Sequence, residues 1–304
     1  MSNKIVFFGN ERLGVGLSTD APVLRSLIAS GYEITAVVVA QNERQKSRNS
    51  RNLEVETVAS ANNIPVLSPV HLNDIKDQLT KMNAKAGVLI AYGKLIPKHI
   101  IDIFPRGIIN IHPSLLPLHR GPIPIEAVIL NGEKETGVSL MQLNDKMDSG
   151  PIYAQAKINL SGNEYKNELA TQLIALGAKL LIENLPNILN GSLEAIKQND
   201  VLATYDSLIK KEDGVINFNK PAEDIERQIR AYVGWPRSRA KIGSKEVIIT
   251  KAHAESIQGT PGTLYIQPGS FGIHCHKNTL IIDKLIPAGK SEMTSREFLL
   301  GYTP

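Results

Sequence analysis

KIVFFG, Lys4 to Gly9, sets four consecutive apolar side chains in front of a glycine. An unbroken apolar run lacks the alternation of a strand with one wet face. It reads as a strand covered on both sides, as in a parallel sheet, and Gly9 opens the turn after it. Downstream, Ala21 to Ser30 carries Val23, Leu24, Leu27 and Ile28 at helical spacing, and Gly31 supplies the stop. Ile34 to Val39 reads as a strand, Glu54 to Asn62 as a helix and Ile64 to Leu67 as a short extended piece. This βαβα alternation continues with strands at Ala86 to Ala91 and Ile108 to Ile111. It predicts an α/β fold, an open, mostly parallel sheet with helices on both faces, whose ligands gather at the carboxyl ends of the strands.

A long helical pattern from Asn167 to Leu189 closes on Asn190-Gly191. Beyond Tyr205 the texture changes to short β-rich runs, Glu246 to Thr250, Thr263 to Tyr265, Gly272 to His276 and Leu280 to Lys284, the pattern of a small barrel. The chain of 304 residues thus divides into a first domain over 1–190, a connection of little periodicity over 191–203 and a second domain over 204–304. With 42% apolar and 21% charged residues, disordered and fibrous classes are excluded. Cys275 is the only cysteine, so no intrachain disulfide forms and the cytoplasm is the expected compartment. No stretch approaches the roughly 18 apolar residues of a membrane helix, and the apolar run near the N-terminus is too short for a signal segment. No membrane partner is expected.

The net charge of +4 is unevenly placed. From Tyr205 onward, 14 Lys or Arg face 11 Asp or Glu. A second basic stretch, Asn42 to Leu53, holds Arg44, Lys46, Arg48 and Arg51 against Glu43 alone. Such a stretch meets a polyanion or is simply a solvated loop.

Gly9, Gly14 and Gly16 follow the first strand, but their spacing fits neither the dinucleotide fingerprint nor the phosphate-binding loop. No metal site is expected: His274 and His276 lack carboxylate or cysteine ligands nearby in sequence, and His71, His99 and His253 read as surface residues. The densest constellation is IINIHPSLLPLHRG, Ile108 to Gly121. Side chains two apart in a strand point alike, so Asn110 and His112 converge at its end, either as a site or merely as strand-end caps. In ETGVSLMQLNDKMDSGPIY, Glu135 to Tyr153, a strand around Val138 to Leu143 leads into a polar loop ending Met147-Asp148-Ser149-Gly150. An aspartate there could set the histidine's tautomer and favour its imidazolium. Alone, Asp-Ser-Gly is just a turn.

Taken together, Asn110-x-His112-x-Ser114-Leu115-Leu116-Pro117, Gly137 and Asp148-x-Gly150 resemble the signature of the folate-dependent formyltransferases. The resemblance implies a Rossmann-like first domain and no metal. It further implies a catalytic trio of Asn110, His112 and Asp148, with Ser114, Leu115, Leu116 and Pro117 lining the folate and formyl pocket. Ala91, Tyr92 and Gly93, opening AYGKLIP, resemble the loop whose backbone holds the pterin. The expected co-substrate is 10-formyltetrahydrofolate.

Thr204-Tyr205-Asp206, Ile216-Asn217-Phe218, Ile229-Arg230-Ala231 and Trp235-Pro236 resemble the C-terminal domain of the branch that formylates methionyl initiator tRNA, as do Arg120-Gly121 and Pro124-Ile125. That domain is a small OB-like barrel, a fold that commonly binds nucleic acids through a basic face. The branch also inserts a loop after its second strand near the acceptor end of the tRNA, and Arg44, Lys46, Arg48 and Arg51 occupy that position. The resemblance implies that they contact tRNA phosphates and that the initiator tRNA is the acceptor; a monomer is expected. Two departures stand out. Asn10-Glu11-Arg12-Leu13 replaces the usual Thr-Pro-x-Phe type turn, and the basic loop lacks the family's proline and glycine. The alternatives are a formyltransferase acting on an amino sugar nucleotide and a catalytically silent RNA-binding protein of the same fold.

Overall fold

A computed structural model describes residues 3–13, 19–40 and 53–302. The chain falls into two compact units, each discontinuous in sequence. The first comprises Met1–Pro124, Glu135–Asn159 and Ala170–Asp206, and the second Ile125–Lys134, Leu160–Leu169 and Ser207–Pro304.

In the first unit the run that decides the fold is β1 (Lys4–Gly9), with Ile5 to Phe8 entirely buried. It is followed by α1 (Pro22–Ala29), β2 (Glu33–Val38), α2 (Glu54–Ala61), β3 (Val66–Leu67) and α3 (Lys76–Lys81). Next come β4 (Ala86–Ile90), α4 (Lys98–Ile101) and β5 (Ile108–His112), and, beyond α5 (Pro124–Asn131), β6 (Glu135–Gln142) and β7 (Ile152–Asn159). The seven strands lie in the order β3-β2-β1-β4-β5-β6-β7. Strands β1 to β5 pair in parallel, while β6 runs against β5 and β7 against β6. A mostly parallel sheet with an antiparallel edge is the Rossmann-like arrangement expected. Strand β7 was not anticipated. Its eight residues are intermediate or exposed, as on an edge strand, so no long apolar run announces it.

The strand order reverses between β1 and β4, because the chain winds outward from β1 through β2 and β3 and then returns to its other side. Such a reversal opens a crevice beyond the carboxyl ends of the two strands. Here those ends are Gly9 and Ile90, which pair directly. A Cβ on Gly9 would lie 1.8 Å from the Ile90 carbonyl oxygen, and its φ is +125°, so only glycine permits this approach.

The long α6 (Lys166–Asn190) is followed by α7 (Ala222–Ala231), β8 (Ser238–Ile242), β9 (Lys245–Glu255), β10 (Leu264–Gln267), β11 (Ser270–His274), β12 (Thr279–Pro287), β13 (Met293–Thr294) and α8 (Ser295–Gly301). In the second unit the strands form an antiparallel sheet ordered β10-β11-β12-β9-β8, with β13 on β12. The four strand segments read from sequence fall on β9, β10, β11 and β12. Helix α7 contributes Ala222, Ile225 and Ile229, four or fewer residues apart, to a core shared with Phe271, Leu285 and Phe298. Phe298 sits 5.5 Å from Phe271 and stacks on Tyr302 at 4.9 Å between ring centres.

Candidate active site

The two-residue period of β5 sends Asn110 and His112 to one face, and both are nearly buried, 7% and 5% exposed. The Asn110 carboxamide makes no hydrogen bond among the described residues. His112 Nε2 lies 2.9 Å from the His119 carbonyl oxygen. A carbonyl only accepts, so Nε2 carries the hydrogen and donates it. That leaves Nδ1 as the ring nitrogen facing Asp148, whose Oδ1 is 3.8 Å away. That separation is beyond hydrogen-bond length. The tautomer is therefore set by the His119 backbone, a role that the sequence reading assigned to Asp148.

Asp148 itself has φ +47°, in the left-handed region, and its Oδ2 accepts the Gly121 backbone N–H at 2.8 Å. Two residues on, a Cβ at Gly150 would fall 1.8 Å from the Gln142 carbonyl oxygen. The glycine lets the turn close against β6.

The Ser-Leu-Leu-Pro turn is braced by a residue the sequence reading passed over. Ser139 Oγ donates to the Ser114 carbonyl at 2.7 Å and accepts from the Leu116 N–H at 3.0 Å and from Gln155 Nε2 at 2.8 Å. Ser114 Oγ donates to the Leu118 carbonyl. Ser114 and Leu116 are buried and serve the turn itself, whereas Leu115 and Pro117 are half-buried. The Leu116–Pro117 peptide bond is cis.

Ala91, Tyr92 and Gly93 leave the sheet beside this turn, because Leu89 of β4 pairs with Asn110 of β5. Ala91 and Gly93 have φ of +50° and +76°. The Tyr92 ring turns inward, edge-on to Phe8 at 5.9 Å, and burial pushes its phenol up to about 12. What this loop offers a ligand is thus backbone.

Further residues crowd the site. His119, 6% exposed, places Nδ1 3.0 Å from Asp206 Oδ2, and its N–H donates to Thr204 Oγ1 at 2.8 Å. Arg120, 1% exposed, donates to Gln198 Oε1, to Asp200 Oδ1 at 2.7 Å and to the Tyr205 hydroxyl at 2.7 Å. Burial opposes the Arg120 charge, but the bonds from Asp200 and Tyr205 outweigh it and hold the guanidinium above its ordinary value. Residues 119–121 are also tied to 204–206 through the backbone, Arg120 N–H to Thr204 O at 2.9 Å and Asp206 N–H to Arg120 O at 2.8 Å. His119, Arg120 and Thr204 to Asp206 all stood within motifs already noted, yet no spacing rule pairs them.

The departing turn Asn10-Glu11-Arg12 has a structural role of its own. The Glu11 carboxylate accepts the Val23 and Leu24 N–H groups at 2.9 and 2.8 Å, capping α1. Arg12 grips Glu54 at the start of α2 with two bonds, at 3.0 and 2.7 Å. Arg44, Lys46, Arg48 and Arg51 lie outside the described residues. Beside the Asp148 turn, a cavity of about 490 Å³ is lined by Arg120, Asn144, Lys146, Met147, Lys197 and Tyr205 among others. Among the described residues, no cluster of three or more His, Cys, Asp or Glu side chains fit to hold a metal ion is present.

Residues 4–185 match the formyl transferase family and residues 208–303 match the formyl transferase C-terminal domain. The methionyl-tRNA formyltransferase of Chloroflexus aurantiacus is 37% identical, over 98% of this chain and 96% of that protein. The methionyl-tRNA formyltransferase of Pelobacter propionicus is 33% identical, over 99% of this chain and 93% of that one. Among solved structures, the N-formyltransferase of Helicobacter canadensis, in complex with folinic acid and dTDP-3-aminofucose, superposes with a TM-score of 0.70. It shares 20% identity and covers 93% of this chain and 99% of its own, which extends the likeness to the fold. By the match along both of its parts and by its near-full-length relatives, the chain belongs to the formyl transferase family, in the group whose members are named methionyl-tRNA formyltransferase.

Proposed function

We propose that this enzyme transfers the formyl group of 10-formyltetrahydrofolate to the amino group of methionyl initiator tRNA, preparing it for translation initiation in the cytoplasm. The observation that carries the reading is that Asn110 and His112 share one buried face of β5 and that the partly exposed Asp148 faces the His112 ring at 3.8 Å. The folate would lie with its pterin against the Ala91 to Gly93 backbone and its formyl group by the Ser114 to Pro117 turn.

The neutral amine attacks the formyl carbon, and the carbonyl oxygen gains negative charge in the tetrahedral intermediate. Asn110 supplies an amide donor to that oxyanion, its carboxamide being uncommitted among the described residues. His112 Nε2–H is engaged by His119, so Nδ1 is the nitrogen through which it acts. When protonated, Nδ1–H also donates to the oxyanion, and the Asp148 carboxylate beside it balances the charge. Asp148 steers the proton leaving the attacking amine, directly or through one water. The amine nitrogen becomes the formamide, and folate N10 departs carrying a proton.

In this reading residues 1–190 carry the chemistry, 191–203 connect, and 204–304 contact tRNA together with Arg44, Lys46, Arg48 and Arg51. The solved structure with an amino sugar ligand shares the fold at 20% identity, so it favours an amino sugar acceptor less than the 37% relatives favour the tRNA. Purified protein given a 10-formyl folate and either charged initiator tRNA or amino sugar nucleotides tests the choice. The expected product is formyl-methionyl-tRNA, and its absence alongside a formylated sugar would reverse the assignment.

A further inference from the structure

We propose that Gln198 is a positioning residue for formyl transfer, locking the Asp148 turn to the His119–Gly121 loop so that Asp148 keeps facing His112. This rests on the role of Asp148 given above. Gln198 is 6% exposed, and its carboxamide is fully used. Oε1 accepts from Arg120 Nε at 3.1 Å and Nη2 at 2.8 Å. Nε2 donates to the Asp148 carbonyl at 2.8 Å and to the Gly150 carbonyl at 2.7 Å. Two lone pairs and two hydrogens are all a carboxamide has. Its orientation is unambiguous, because a guanidinium only donates and backbone carbonyls only accept.

Both ends of this bridge are anchored. Arg120 is held in turn by Asp200 and Tyr205. At the other end, Asp148 stands at φ +47°, a backbone conformation that a residue with a side chain keeps only where its surroundings over-determine it. Two contacts do so here: Gly121 N–H grips the Asp148 side chain, and Gln198 grips its carbonyl and that of Gly150. Without the second grip, the turn relaxes its positive φ and the carboxylate swings away from His112 Nδ1. Gln198 reaches neither the His112 ring nor the face that Asn110 presents, so it acts through Asp148.

Chemistry also says which substitutions discriminate. Gln198→Glu keeps shape and still accepts from Arg120, but it turns lone pairs toward two carbonyls that need donors. Gln198→Met removes all four bonds without adding charge.

The test is a double-mutant cycle in the full-length protein with Gln198→Glu, Asp148→Asn and the pair, read as kcat and KM, with thermal unfolding as the folding control. Expected for Gln198→Glu is a folded protein whose kcat falls about 10- to 100-fold, the loss that about 1 Å of misplacement produces, with KM for both substrates within about twofold. Added to Asp148→Asn, the same substitution should cost less than about threefold more, since the residue through which it acts is already disabled. If Asp148→Asn is impaired but Gln198→Glu turns over normally, the positioning role is wrong while the assignment of Asp148 stands. Full loss from Gln198→Glu on top of Asp148→Asn would also overturn it, marking a general structural role. Near-wild-type turnover by Asp148→Asn would remove both. Should Gln198→Glu not fold, Gln198→Met is read in the same cycle by the same criteria.

Discussion

Glu11 should make the protein less stable as the pH rises through neutrality, and replacing it with glutamine should abolish that dependence. Its side chain is fully buried. Burial pushes its carboxyl from the ordinary 4.5 up to about 7, against the pull of the Leu24 and Val23 N–H groups at the start of α1. Between these two values the folded chain binds a proton that the unfolded chain has released. Stability linked to this group is therefore fully present below about pH 4.5, is lost progressively as the pH rises, and is gone above about 7. The rise from 4.5 to about 7, at about 1.4 kcal/mol per pH unit, corresponds to about 3.5 kcal/mol in all. The assay is urea unfolding of wild type and Glu11→Gln at several pH values from about 4.5 to 8. Subtracting one from the other cancels the remaining titrating groups. The wild-type advantage should shrink by about 3 kcal/mol across that range. A difference that stays flat to within about 0.5 kcal/mol would refute the reasoning, and would mean that the two amide donors hold the carboxylate ionised despite its burial.

Asn110→Ala should lower kcat about 100- to 1000-fold, the usual cost of losing one oxyanion donor; a loss under tenfold in steady-state assays would take Asn110 out of that role. Gly150→Ala forces a Cβ to within 1.8 Å of the Gln142 carbonyl oxygen unless the backbone moves. It should cost about 1–3 kcal/mol in chemical denaturation and reduce turnover through the displaced Asp148. Four phosphate contacts from Arg44, Lys46, Arg48 and Arg51 would weaken tRNA binding about 100-fold as salt rises from about 50 to 200 mM, while folate binding changes little. A tRNA affinity indifferent to salt would count against that basic loop as a contact.

Much of the fold is legible in the sequence because its signals are local. Ile5 to Phe8 declare a doubly covered strand by four apolar neighbours, and Val23, Leu24 and Leu27 declare a helix by their spacing. Strand β7 escapes because an edge strand with no buried residue carries no long apolar run. Asn110 and His112 are brought to one face by the period of a strand, so their partnership can be read from two positions of sequence. The supports around them are of another kind. Arg120 meets Gln198 across 78 residues and His119 meets Asp206 across 87. Side-chain hydrogen bonds at that separation leave no periodic trace, and the segment holding Gln198 reads only as a connection with little pattern. Glu11 is similar in kind: as a carboxylate twelve residues ahead of the amide it caps, it looks in sequence like any polar loop residue.

The ties between 119–121 and 198–206 bear on how such proteins can be recombined. Joining this chain to a different C-terminal part at Ser207 would leave Gln198, Thr204 and Asp206 with the loop they brace. A junction at Gly191 would retain Asn110, His112 and Asp148 while importing a stranger's bracing residues. For the loop at 119–121, the seam that keeps its braces lies some sixteen residues later than the end of the long helix suggests.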